Sequence, residues 1–206
     1  MRIQLSDHFT YKKLILFVLP SIIMMIFTSI YSVVDGLFVS NFVGKTAFAA
    51  INLIMPFLMG LSALGFMIGT GGSAIVAKTL GEGKKERANE YFSMLVCVTA
   101  IGGALISIAG FILIRPVSEL LGATGILADN CVLYGRILFF SLTPFMLQNV
   151  FQSFFVTAEK PKLGLYVIIA AGLTNIVLDF LFIAVFKWGL AGAAIATAAS
   201  EYMGGL

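Results

Sequence analysis

The chain has 206 residues, of which 60% are hydrophobic and only 11% charged, against roughly 45–50% and about 25% in soluble domains. No water-soluble core of this size absorbs such an excess, so the composition excludes an ordinary globular protein and points to lipid as the solvent. A formal net charge of +3, from 13 Lys and Arg against 10 Asp and Glu, gives no reason to expect a nucleic-acid partner.

Taken in chain order, the first apolar run covers residues 14–42, directly after Lys12 and Lys13. It is longer than the 7–15 residues of a signal-peptide core and lacks a small-residue cleavage exit, so it is retained as a span. Further runs follow at residues 47–77, 91–114, 131–156, 163–186 and 188–206, each near the twenty or so residues that cross a bilayer. Backbone in lipid must bond to itself, and no alternating short segments of a closed barrel are present, so every span is expected to be a helix. The expected fold is an all-α integral membrane bundle of six spans, one lobe covering residues 1–206. Cys97 and Cys131 fall in apolar runs and read as packing residues, and His8 precedes the first span at the membrane surface.

Charge sets the orientation, because Lys and Arg concentrate on the cytoplasmic side of short loops. Alternate ends collect nine basic residues: Arg2, Lys12, Lys13, Lys78, Lys84, Lys85, Arg87, Lys160 and Lys162. The opposite ends hold three, Lys45, Arg115 and Lys187, and Arg136 is left inside the fourth span. Both termini and the charged loop at residues 81–88 are therefore expected in the cytoplasm of a cell whose plasma (inner) membrane holds the protein. Small residues recur every fourth position at Gly65, Gly69, Ser73 and Ala77, and again at Gly192, Ala196, Ser200 and Gly204. Such stripes let helix backbones approach closely in lipid, so both are expected contact faces.

A carboxylate within a span costs several kcal/mol unless it faces a polar interior, and it commonly binds or relays something there. Asp35 and Asp179 are two such residues. At about 1.5 Å of rise per residue, Asp35, Asp179 and Thr197 all lie roughly 10–14 Å below the outer boundary, and Asn175 shares a helix face with Asp179, four residues away. Two carboxylates, an amide and a hydroxyl form an all-oxygen set that suits sodium or a proton, with no cofactor and no soft-metal site. A purely structural alternative pairs one of the carboxylates with Arg136. Glu201 has no role that the sequence defines.

Several stretches carry a family resemblance: Pro20, the run Val34-Asp-Gly-Leu-Phe-Val-Ser-Asn-Phe-Val-Gly44, and Ala49-Ala-Ile-Asn-Leu-Ile-Met-Pro56. So do Leu80-Gly-Glu-Gly83, Thr174-Asn-Ile-Val-Leu-Asp179 and Ala194-Ile-Ala-Thr197. In order and spacing they resemble the multidrug and toxic compound extrusion (MATE) family. The resemblance implies one lobe of a twelve-helix transporter that exports small organic cations in exchange for protons or sodium. It also implies that Asp35, Asn175, Asp179 and Thr197 form the cation or proton site, that Tyr31 and Tyr134 surround it, and that Pro20 bends the first span. A proline there frees a backbone carbonyl and permits a kink. The family would continue into a C-terminal lobe, so this chain is expected to be a fragment, to pair with a second copy, or to lack transport.

No nucleotide-binding loop, zinc helix or nucleophile elbow is present, so an enzyme or ATPase is not expected. A lipid-linked precursor flippase of the same superfamily and a non-transporting membrane binding or scaffold module remain as alternatives.

Overall fold

The computed structural model describes residues 11–205, except for the side chains of residues 12, 13 and 17. Arg2, His8 and Leu206 lie outside the described residues, as do the Lys12 and Lys13 side chains. Six α-helices follow one another: α1 Tyr11–Phe38, α2 Lys45–Gly81, α3 Lys85–Leu120, α4 Ile126–Thr157, α5 Pro161–Asp179 and α6 Gly189–Gly205. Two of them, α1 and α5, continue directly into π-helical turns, Val39–Val43 and Phe180–Val185. Each turn closes with a bond five residues back, from the Gly44 amide to Val39 and from the Phe186 amide to Leu181. Five of the helical stretches are long and apolar enough to cross a membrane, and α6 is the short one at 17 residues.

Connections are tight because backbone that leaves a helix must quickly find partners or water. Gly83, at φ 78°, turns the chain between α2 and α3, a conformation that glycine adopts without steric cost. Beside it Lys84 donates to Glu82 at 2.7 Å, an exposed pair that adds little stability. At the other face, Arg115 near the end of α3 pairs with Glu119 and reaches Asp129 at the start of α4.

The bundle is organised around α4, which packs against α2, α3 and α6, while α1 rests mainly on α5 and α5 on α6. Helix α4 is accordingly the most enclosed span, and α1 the least covered. Close approach follows the small residues. A Cβ on Gly65 would meet the Met146 backbone of α4 at 2.8 Å, and one on Gly69 would meet Val150 at 2.9 Å. On α6, Gly192 abuts Phe182, Gly204 lies over the Gln148 amide and Gly205 touches the Pro144 backbone. Between these contacts a core of Ile54, Ile114, Tyr134, Phe139 and Met146 is fully enclosed. Apolar side chains such as Met25, Leu105 and Ile112 point outward, as lipid allows and water would not.

Candidate functional site

Five of the six helices, all but α3, enclose a cavity of about 250 Å³. Its α1 wall carries Thr28, Tyr31, Ser32 and Asp35, residues one helical turn apart and so on one face. Helix α4 contributes Gln148, Asn149 and Gln152, α5 contributes Asn175, and α6 contributes Thr197, Ser200 and Glu201. Met55, Leu58 and Met59 of α2 close the apolar side.

Of the sequence-derived residues, Tyr31, Asp35, Asn175 and Thr197 line this space, whereas Asp179 and Tyr134 lie behind its wall, near Asp35. Asp35 and Asp179 bring their carboxyl groups within hydrogen-bonding reach of each other. Asp179 is fully enclosed, and neither of its oxygens finds a protein donor, nor does Oδ1 of Asp35. Two carboxylates cannot share such a position unless a proton or a cation lies between them. Asn175, 1% exposed, leaves its Oδ1 without a donor as well. The Thr197 hydroxyl donates to the Ala193 carbonyl at 3.1 Å and so keeps its lone pairs available.

Tyr134 stands at the centre of this group. Its side chain is fully enclosed, its hydroxyl approaches Thr197 without a well-directed hydrogen bond, and it lies close enough to Asp35, Asp179 and Glu201 to feel all three charges. Tyr31 lines the cavity within reach of Asp35 and Glu201. Pro20 lies inside α1, buried, fifteen residues before Asp35, or about 22 Å along the helix. Among the described residues no group of three or more His, Cys, Asp or Glu side chains could hold a metal ion. The donors that do converge are hard oxygens on two carboxyls, an amide and a hydroxyl, a set that fits sodium or a proton and not a soft metal.

The structural alternative does not hold, and Glu201 gains a place. Arg136 does not partner either aspartate: it points outward from α4 and stacks over the Phe111 ring, 5.2 Å from its centre. Glu201, without a role in the sequence, belongs to the cavity wall and lies within hydrogen-bonding reach of Ser141. The amides of Gln148, Asn149 and Gln152 also went unremarked, although their spacing at i, i+1 and i+4 in an apolar span places them on one polar strip.

A lipid-facing helical bundle around a buried polar cavity with unpartnered carboxylates defines a multi-pass membrane protein. The MatE family model matches residues 20–181, and the chain belongs to that family. It is 24% identical over 196 residues to the multidrug export protein MepA of Staphylococcus saprophyticus, covering 95% of this chain and 44% of that protein. It is likewise 24% identical to the probable multidrug resistance protein YoeA of Bacillus subtilis, covering 95% and 43%. Among solved structures, an outward-facing multidrug resistance MATE transporter superposes with a TM-score of 0.86 at 29% identity, over 92% of this chain and 42% of that one. The chain thus spans less than half the length of these relatives, and its fold is that of one lobe of a twelve-helix transporter. The family to which the chain belongs is one of transporters and not of enzymes.

Proposed function

We propose that the chain is the N-terminal half of a secondary active exporter that expels small organic cations in exchange for protons or sodium. It would sit in the plasma membrane with both termini cytoplasmic. Asp35, Asn175, Asp179 and Thr197 bind the coupling ion, Tyr31 and Tyr134 surround it, and Pro20 lets α1 bend as occupancy changes. The observation that carries this reading is the close approach of the Asp35 and Asp179 carboxyls, both short of protein donors, at the wall of a cavity that Asp35 lines. Such a pair is stable only when occupied, so taking up or releasing one cation changes its repulsion and hence the geometry of α1 against α5. The names of the relatives, multidrug export proteins, support an organic substrate. Complementing this half, a C-terminal lobe or a second copy of the chain would supply the facing wall.

Flux of a fluorescent organic cation from proteoliposomes holding the intact transporter, driven by a proton or sodium gradient, tests the assignment. Asp35→Asn and Asp179→Asn are each expected to abolish gradient-driven export while the protein stays folded in the membrane. Coupled flux with unchanged pH and sodium dependence in either variant would refute it.

A further inference from the structure

Glu201 lies four residues beyond Thr197 on α6, about 6 Å further along the helix, and so a full turn from the level of the aspartate pair. Among the described residues no basic side chain pairs with it; its neighbours are Ser141, Tyr31 and Tyr134. It shares its cavity with Gln148, which is 8% exposed, and with the enclosed Asn175, whose Oδ1 has no donor. The opposite side of that space is apolar, with Met55, Leu58 and Met59 of α2.

A cavity of about 250 Å³ is far larger than a bare monatomic ion or the roughly 30 Å³ of a single water. It falls just under the roughly 300–1,000 Å³ of sites for drug-sized molecules. One carboxylate set in a wall of amides and facing thioethers and aliphatic groups matches a small positive charge that carries apolar substituents. A strongly hydrated inorganic ion would leave the apolar wall unmatched, and an anion would meet the carboxyl groups of Asp35 and Glu201.

Building on the exporter reading above, we infer that Glu201 is the charge-reading residue of an organic-cation subsite on the α4–α6 wall. It accepts a quaternary or protonated amine head group, while the Asp35–Asp179 pair a turn away holds the coupling ion. In this arrangement the organic cation sits at Glu201 and the coupling ion at the pair that Asp35 forms with Asp179 behind the cavity wall, and the two influence each other through Tyr134, which lies near both.

The test is calorimetric titration of benzyltrimethylammonium, an amine cation that fits the volume, into the intact transporter in lipid nanodiscs. Glu201→Gln is expected to weaken binding at least tenfold, whereas Glu119→Gln, at an exposed carboxylate of α3 outside the cavity, is expected to leave it within about threefold of the parent. Undiminished binding by Glu201→Gln would overturn the inference, as would an equal loss in both variants, which would make the loss a general effect of removing a carboxylate. Labelling of the unmodified protein by a hydrophobic carbodiimide, read by mass spectrometry, keeps the question open to refutation if Glu201→Gln misfolds. Benzyltrimethylammonium should slow modification of Glu201, and a rate insensitive to it would overturn the inference. Gradient-driven flux of Asp35→Asn separates the two readings: coupled export surviving in that variant refutes the coupling assignment while leaving the Glu201 result to stand by itself.

Discussion

Pro144 shows how a single residue redirects the bonding of a buried helix. It has no N–H to give to the carbonyl four residues earlier, so the Phe140 oxygen loses its intrahelical partner. The Tyr202 hydroxyl of α6 donates to that oxygen at 2.8 Å, and the Gly205 backbone packs directly against Pro144. A gap in the α4 ladder thereby becomes the tie that holds α6, and with it Thr197 and Glu201, against the cavity. Tyr202→Phe keeps the ring and removes the tie, so it is expected to cost about 1 kcal/mol, measured as a lower thermal midpoint in detergent. Phe140→Leu, which leaves the carbonyl in place, should not reproduce that loss through the hydrogen bond, because the bond is made by backbone oxygen. An unchanged midpoint in Tyr202→Phe would mean that water or another donor satisfies Phe140 equally well.

Among the helices, the glycines divide by what faces them. Gly65 and Gly69 lie against α4 backbone, whereas Gly60 and Gly71 on the same helix have nothing within 4 Å of an added Cβ. Gly65→Ala must therefore push α2 from α4 and is expected to destabilise by about 1–3 kcal/mol. Gly71→Ala, which only gains helix propensity, should be neutral or stabilising by up to about 1 kcal/mol. Equal effects of the two in a detergent or urea unfolding series would show that the α2–α4 contact is loose. The Gly65 stripe was legible in the sequence because small residues at every fourth position have one physical use in lipid. So was the all-helical fold, since hydrocarbon leaves backbone no other option for runs of this length. Two features were not legible. The π-helical turns at Val39–Val43 and Phe180–Val185 carry no proline or other local signal. They lie where the ends of the acid-bearing helices α1 and α5 touch, a contact that no local sequence signal announces. Position inside the fourth span also left Arg136 as a candidate partner of the aspartates, but a place in a span says nothing about which way a side chain turns around its helix. Its outward direction followed from neighbours that depth ignores: Leu133 and Phe140 are exposed beside it, while Tyr134 and Leu138 are buried.

At the scale of the whole molecule, the polar cavity and the basic loops make separate demands. A polar inner face cannot be left to lipid, so the chain is expected to purify with a C-terminal lobe or as a pair of copies. A monodisperse single copy in nanodiscs, by mass photometry, would count against that. Orientation follows from charge: Lys84, Lys85 and Arg87 cluster at one end of α2 and α3, while the opposite ends carry Lys45, Arg115 and Lys187. Basic side chains are retained in the cytoplasm during insertion, so Lys84 is expected inside and Lys187 outside. The test is labelling of single cysteines by a membrane-impermeant maleimide in intact cells. It needs a background without Cys97 and Cys131. Cys97 is exposed on the lipid-facing surface of α3 and its replacement by Ser should be mild, whereas Cys131 is enclosed, with its thiol directed at the Ala50 carbonyl, and calls for Ala. In that background Lys187→Cys should label in intact cells, and Lys84→Cys only after the membrane is opened. Because neighbouring helices run antiparallel, the two positions cannot be exchanged separately. Labelling of Lys84→Cys in intact cells would invert the entire bundle and put the basic loop outside, against the nine-to-three charge bias.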